Sequence, residues 1–360
     1  MKSLEVAVIG GGPAGAVTAL RLARRGVDVG LYEPSAYERT RMAETLPPSI
    51  NPLLHELRVW AGFQALGALP SYGTTAVWGA DEVAARSFLF SPYGNGWHVD
   101  RSRFDRMLSI AAQESGAAVF RAKVRGVRPA SGGFDIDAEI PVRAEVVVDA
   151  TGRAARVSRG FGARYVRSDK LVCAARLFPA RPGEPPAETF VEAVEHGWWY
   201  AAPLPDGRRL VACFTDAPIA ARMALGTADG WVAAAAATGH LRQFVTAPAA
   251  GAVRVVTAAG HRLHPCAGPG WLAVGDAALA MDPLSSGGVT AALRTANAAA
   301  DALSAGEGSS YAQLVDGLAA DHSRQYAEVY GWETRFPRAE FWRARLPSAV
   351  LSRCLLRGGR

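Results

Sequence analysis

The stretch Val6-Ala7-Val8-Ile9-Gly10-Gly11-Gly12-Pro13-Ala14-Gly15 joins four apolar residues to a tight run of glycines, and a helical pattern over residues 16–25 follows it. Strand, glycine turn and helix start in that order describe a dinucleotide fingerprint. Gly10 permits the turn, Gly12 lets backbone approach a pyrophosphate, and Gly15 lets the helix pack close to the strand, with Pro13 and Ala14 opening the helix. A second strand over residues 27–32 ends at Glu33, where a ribose hydroxyl needs an acceptor. An ordinary βαβ turn would not need three glycines and an acid at the end of the second strand.

Far downstream stands Gly275-Asp276-Ala277-Ala278, continuing to Asp282-Pro283-Leu284-Ser285-Ser286-Gly287-Gly288-Val289. An aspartate at a strand end can accept from ribityl hydroxyls. A helix starting at Gly287-Gly288 offers unpaired amides to the N1–C2=O edge of a flavin, where reduction places negative charge. Together the two motifs select FAD over NAD as the resident dinucleotide.

On these residues the chain resembles the FAD-dependent flavoprotein monooxygenases of the hydroxylase fold, in their tryptophan halogenase-like branch. Further marks are Glu44-Thr45-Leu46-Pro47-Pro48, Gly96-Trp97-His98-Val99-Asp100-Arg101, Asp149-Ala150-Thr151-Gly152-Arg153 and Trp198-Trp199-Tyr200-Ala201-Ala202-Pro203. The resemblance covers nearly the whole chain. It implies that Arg41 and Arg101 approach the cofactor, that the Val124 backbone approaches the adenine, that Asp276 takes the ribityl chain, and that Pro283, Gly287, Gly288 and Val289 face the flavin ring. Where related hydroxylases carry an Asp-Gly pair, Thr151-Gly152 stands, which leaves NAD(P)H handling open.

The implied fold class is α/β, a Rossmann-like FAD-binding domain of the hydroxylase and glutathione-reductase type with a second substrate domain on a mainly antiparallel sheet. We assign residues 1–70, 98–170 and 257–310 to the FAD domain, 71–97 and 171–256 to the substrate domain, and 311–360 to a helical C-terminal segment. Helices are predicted at 52–60, 101–115, 229–237 and 288–303, and strands at 71–78, 87–90, 171–177, 188–194, 198–203 and 210–215.

With 360 residues, 49% of them hydrophobic, the chain can bury a large core. Lysine and arginine together number 39, only three of them lysine (Lys2, Lys123, Lys170), and the net charge is +6. No lysine-rich patch or aromatic-basic platform accompanies the arginines, so a coding bias explains them better than a nucleic-acid partner. The four cysteines, Cys173, Cys213, Cys266 and Cys354, are scattered and fit a reducing, cytoplasmic compartment. No stretch has the length of a membrane span. His261 and His264 have helical i, i+3 spacing, but without a third ligand no metal site is expected.

Glu44 and His98 are the candidate acid/base residues, His98 because imidazole can titrate near neutrality. The plainer alternative gives each a structural role. His196, Trp198 and Tyr200 are substrate-facing candidates, against the alternative of aromatics filling a sheet core. In halogenases of the branch the element Trp-x-Trp-x-Ile-Pro separates flavin from substrate, and here Tyr200 and Ala202 replace two of its members. Those enzymes also place a lysine between the Glu44-type and His98-type motifs, whereas this chain has none between Lys2 and Lys123.

The expected activity is therefore FAD-dependent monooxygenation of an electron-rich aromatic through a flavin C4a-hydroperoxide. Dioxygen is the co-substrate, and NAD(P)H or a partner flavin reductase is the electron source. The substrate is an indole or tryptophan-type group, free or bound to a peptide or carrier, as in the subset that hydroxylates a tryptophan of a partner polypeptide during tryptophylquinone maturation. The alternatives are a dehydrogenase or ene-reductase of the geranylgeranyl reductase type, a flavin-dependent halogenase, ranked below it, and a flavin-binding subunit without turnover. The aromatic and basic tail around Trp332, Arg335, Phe341, Trp342 and Arg345 is read as a cover over the domain interface, with docking to a membrane face or a protein substrate as its alternative.

Overall fold

The computed structural model describes residues 2–38, 45–179, 188–245, 249–306 and 308–346. Arg41 and Glu44 lie outside the described residues. The elements used below are, in chain order, β1 (Lys2–Ile9), α1 (Pro13–Ala23), β2 (Val29–Tyr32), α2 (Ile50–Glu56), α3 (Trp60–Gln64), β3 (Gly73–Val77), α4 (Arg101–Glu114), β4 (Ala118–Phe120), β5 (Val142–Asp149), β6 (Leu171–Pro179), β7 (Glu188–Val194), β8 (Gly197–Pro203), β9 (Arg208–Asp216), α5 (Ala228–Ala236), β10 (Ala250–Thr257), β11 (Trp271–Ala273), α6 (Gly288–Ala305) and α7 (Gly308–Trp332).

The chain divides into two compact units, the first made of residues 1–67, 100–167 and 261–320 and the second of 68–99, 168–260 and 321–360. The first is a Rossmann-like α/β unit. Its sheet runs β11-β5-β1-β2-β4 with every pairing in that order parallel, so the carboxyl ends of these strands lie along one edge. Val6, Ala7, Val8 and Ile9 are all buried, as expected of a central strand covered on both faces. Helix α1 packs between the sheet and helices α4 and α6. Every residue from Pro13 to Leu20 is buried, which small side chains such as Ala14, Gly15, Ala16 and Ala19 allow. A hairpin, Gly126–Ala130 with Gly133–Asp137, extends β5 antiparallel and turns at Ser131-Gly132.

The second unit is built on a seven-stranded sheet, β10-β6-β9-β8-β7-β3 followed by Ala84–Ser87, antiparallel except where β7 and β3 run parallel. Alternation along β8 puts Trp199 and Ala201 on one face and Trp198, Tyr200 and Ala202 on the other. On the first face Trp199 meets Trp231 of α5 edge-on, ring centroids 5.1 Å apart, inside a core that includes Val77, Phe178, Val211 and Leu241. On the second, Trp198 stacks on its cross-strand neighbour Phe214 at 3.9 Å and donates its indole N–H to the Tyr330 hydroxyl at 3.0 Å.

Several local expectations are corrected. The helix expected at 52–60 is two short ones, α2 and α3, separated by Arg58, whose φ of +53° no helix can accommodate. The strand expected at 87–90 ends at Ser87, where Pro92 and Gly94 keep the following chain in turns. His261 and His264 sit on a strand, so three-residue spacing sends them to opposite faces, one buried and the other exposed. The tail packs within the second unit. Phe341 and Trp342 are fully buried, the Trp342 indole donates to the Val194 carbonyl, and Arg345 lies over the Phe341 ring while gripping both oxygens of Asp216. Phe341 and Trp342 are thus enclosed within the unit, whereas Trp332 is 55% exposed.

Candidate flavin-binding site

In the first unit four strand ends meet. β2 delivers Glu33, β1 delivers Gly10, β5 delivers the Asp149 to Arg153 turn, and β11 leads into the single turn Gly275–Ala277. The carboxyl edge of such a sheet is where an open α/β fold takes its ligand. Gly10 has φ +113°, and a Cβ there would stand 2.2 Å from the Ala150 carbonyl oxygen. A Cβ on Gly15 would stand 1.9 Å from the Gly10 carbonyl oxygen. Both glycines are thus demanded by the chain's own turn. No side chain caps the start of α1, with Gly12 at the cap and Pro13 next, so its first-turn amides are available to a phosphate.

Glu33 is buried. One carboxylate oxygen accepts the Gly11 amide at 2.9 Å and the other accepts from Ser35. The carboxylate therefore braces the glycine turn as well as ending β2, and its remaining lone pairs are what a ribose could use. Val124 lies in the irregular segment after β4, the strand beside β2, and is partly buried.

Asp149 closes the next turn, accepting from the Thr151 amide and hydroxyl and from the Ser158 amide. Arg153 follows it, and sequence reasoning gave this residue no role. Its Nε lies 3.3 Å from Oδ2 of Asp276, and it also donates to the Met281 carbonyl. The Asp276 carboxylate, expected to wait for ribityl hydroxyls, is engaged by a cation and remains partly exposed. His261 completes the group, its Nε2 3.0 Å from the Asp276 carbonyl oxygen and its ring 4.2 Å from that of Tyr165. Burial, then the Arg153 charge, lowers the His261 pKa. The one sequence signal for Arg153 was its position directly after the Asp149 turn.

Asp282 is buried and caps the Leu284 amide in the turn Pro283–Ser285. Ser286 takes the left-handed conformation, and Gly287 then caps α6, whose start has no side-chain cap. A Cβ on Gly288 would meet nothing within 4 Å, so the chain's own packing leaves space beside this helix start. Val289 is buried and can offer only backbone. The positive end of an 18-residue helix dipole thus sits at Gly288. A cradle of glycine backbone, two uncapped helix starts and Asp276 fit the diphosphate, ribityl chain and pyrimidine edge of FAD.

Other candidates stand differently. Arg101 begins α4, and its guanidinium pairs with the buried Asp105 one turn on, Nε to Oδ1 3.1 Å. In the second unit His98 is fully buried on the strand Gly96–His98. Burial, then the charge of Arg209, pushes its pKa down to about 4. The expectation that it titrates near neutrality is corrected: it is neutral there. Trp198, 1% exposed and bonded to Tyr330, packs inside the unit and does not face outward, whereas His196 and Tyr200 are only partly buried. Among the described residues no cluster of His, Cys, Asp and Glu could hold a metal, and no helix is long and apolar enough to cross a membrane.

Fold and crevice define an FAD-dependent oxidoreductase. Residues 79–339 match the tryptophan halogenase family model and residues 8–40 the NAD(P)-binding Rossmann-like domain. The chain belongs to the tryptophan halogenase family. The putative FAD-dependent oxidoreductase LodB of Marinomonas mediterranea is 29% identical over 360 residues, covering 96% of this chain and 97% of LodB. The flavin-dependent halogenase CmlS superposes with a TM-score of 0.86 at 26% identity, over 99% of this chain and 70% of that one. QhpG, a peptidyl tryptophan dihydroxylase essential for tryptophylquinone cofactor biogenesis, superposes with a TM-score of 0.78 at 26% identity, over 95% and 78%. Further relatives include a tryptophan 2-halogenase and halogenases of a pyrrole held on a peptidyl carrier protein.

Proposed function

We propose that this protein is a monooxygenase that hydroxylates an electron-rich aromatic ring, an indole or tryptophan-type group carried on a partner polypeptide. One atom of dioxygen enters the ring, the other leaves as water, and two electrons come from NAD(P)H or a partner flavin reductase. FAD, when bound, supplies the oxygen activation. The chain's residues would hold and polarise it: the α1 start and Gly10 to Gly15 at the diphosphate, Asp276 at the ribityl chain, and the amides at Gly287 and Gly288 opposite the charge that reduction creates.

The observation that carries hydroxylation over halogenation is the absence of any lysine between Lys2 and Lys123. A halogenase of this family needs an amine there to handle hypohalous acid, and an arginine cannot substitute because its guanidinium does not give up its proton. The replacement of the second tryptophan by Tyr200 supports the same choice. Likeness to QhpG, a peptidyl tryptophan dihydroxylase, supports a tryptophan held in a polypeptide.

Halogenation is the second reading, favoured by the likeness to CmlS and by the family itself. Mass analysis of a tryptophan-containing polypeptide, incubated with reduced holoenzyme and air with and without chloride or bromide, separates the two. Hydroxylation predicts a gain of oxygen that ignores halide. A product that appears only with halide and carries it would reverse the order of the readings.

A further inference from the structure

The first unit carries a second concavity, lined on α1, on the α2–α3 segment and on α4. Its volume is about 530 Å³, and its lining includes Arg24, Arg58, Arg103 and Arg106. The same lining carries the apolar side chains of Val59, Leu66, Met107 and the exposed Ile110. Arg24 immediately follows α1, whose other end is the glycine turn, so the 11-residue helix separates this concavity from the cofactor crevice by about 16 Å.

The charges here are not balanced from within. Arg58, Arg103 and Arg106 form no ion pair with a described residue, and Glu114 is the only acid in the lining. Arg24 is spent on structure, donating to the Leu57 carbonyl at 2.6 Å and to Ser115 Oγ at 3.2 Å. Partial burial, then the nearby charges of Arg58 and Arg21, lower its pKa. Arg58 is also held in the left-handed region, a cost that tends to be tolerated where position matters. Guanidiniums present forked donors suited to phosphate oxygens, and the volume is that of a small-molecule site.

We infer that this concavity is a binding site for a phosphate or diphosphate joined to an apolar or planar body, with the guanidiniums of Arg58, Arg103 and Arg106 on the phosphate and Val59, Leu66, Met107 and Ile110 under the body. Such a ligand comes from two sources, a nucleotide or a lipid-like phosphate. Both share the chemistry the site reads.

The test is calorimetric titration of flavin-saturated protein with pyrophosphate, ADP, and decyl phosphate below its micellar concentration. Saturation keeps the probes out of the cofactor crevice. ADP or decyl phosphate should bind at least about tenfold more tightly than pyrophosphate, and whichever is tighter identifies the source. R103Q/R106Q and R58Q should each weaken that binding by about tenfold or more, and I110E should do so while leaving flavin content unchanged. The inference is overturned if none of the three probes binds, if the variants bind as the parent does, or if pyrophosphate matches both others. It is equally overturned if only an acidic peptide binds, which would make the surface a protein-docking face.

Discussion

Gly275 and Ala14 are far apart in sequence and meet so closely that a Cβ on Gly275 would stand 2.7 Å from that of Ala14. The Gly275 amide donates to Thr295 Oγ1 of α6 at 2.9 Å, and its φ is +58°. One residue therefore ties the strand β11, the start of α1 and the helix α6 together, joining the two halves of the cofactor crevice.

Gly275→Ala should destabilise the protein by about 3 kcal/mol, combining the left-handed backbone cost with overpacking against Ala14. Chemical denaturation with and without FAD measures it. A loss within the noise of an ordinary surface substitution would mean that the contact is not tight.

Gly288→Ala should act oppositely on the apo and flavin-bound forms. With open space at that Cβ and a helical backbone, the apoprotein should be as stable as the parent or slightly more so, by about 0.5 kcal/mol. Flavin affinity, read by fluorescence titration, should fall about tenfold or more because the methyl group enters the space assigned to the cofactor. Unchanged affinity would place the flavin elsewhere.

His98 gives a pH signature of stability. Its pKa is lowered from 6.5 to about 4 in the folded chain, so the unfolded chain takes the proton first as pH falls. The stability it contributes is complete above pH 6.5 and is lost as pH falls through about 4, by roughly 3 kcal/mol at most. H98N should flatten the stability profile in that window and leave the pH dependence of turnover between 7 and 9 as in the parent. A kinetic pKa near neutrality that disappears in H98N would restore its acid/base role.

Arg345→Ala should cost about 3 kcal/mol, because it leaves the largely buried Asp216 carboxylate unpaired and uncovers Phe341. Urea unfolding checks the magnitude.

What could be read from sequence follows the range of the interactions concerned. The Gly10 to Gly15 turn, Glu33 and the Gly275 to Gly288 motif are legible because backbone geometry leaves few alternatives there, and periodicity places α4, α5, α6 and the strands β6 to β9 within a residue or two. The Arg153–Asp276 pair was not legible, since it joins the ends of β5 and β11 and exists only once the sheet is formed. For His98 and Trp198 the choice between a structural and a functional role was not legible for the same kind of reason. A histidine in a motif looks titratable until burial is known, and a tryptophan on an alternating strand does not reveal whether its face is covered by Tyr330. His261 and His264 show that i, i+3 spacing means one face only on a helix.

The most direct measurement of the central claim is the origin of the added atom. Holoenzyme reduced without air, mixed with heavy-isotope dioxygen and a tryptophan-bearing polypeptide, should yield a product carrying one heavy oxygen per hydroxylation and none from heavy-isotope water. A product without label that has lost or gained two hydrogens would contradict the account and indicate a dehydrogenase or ene-reductase.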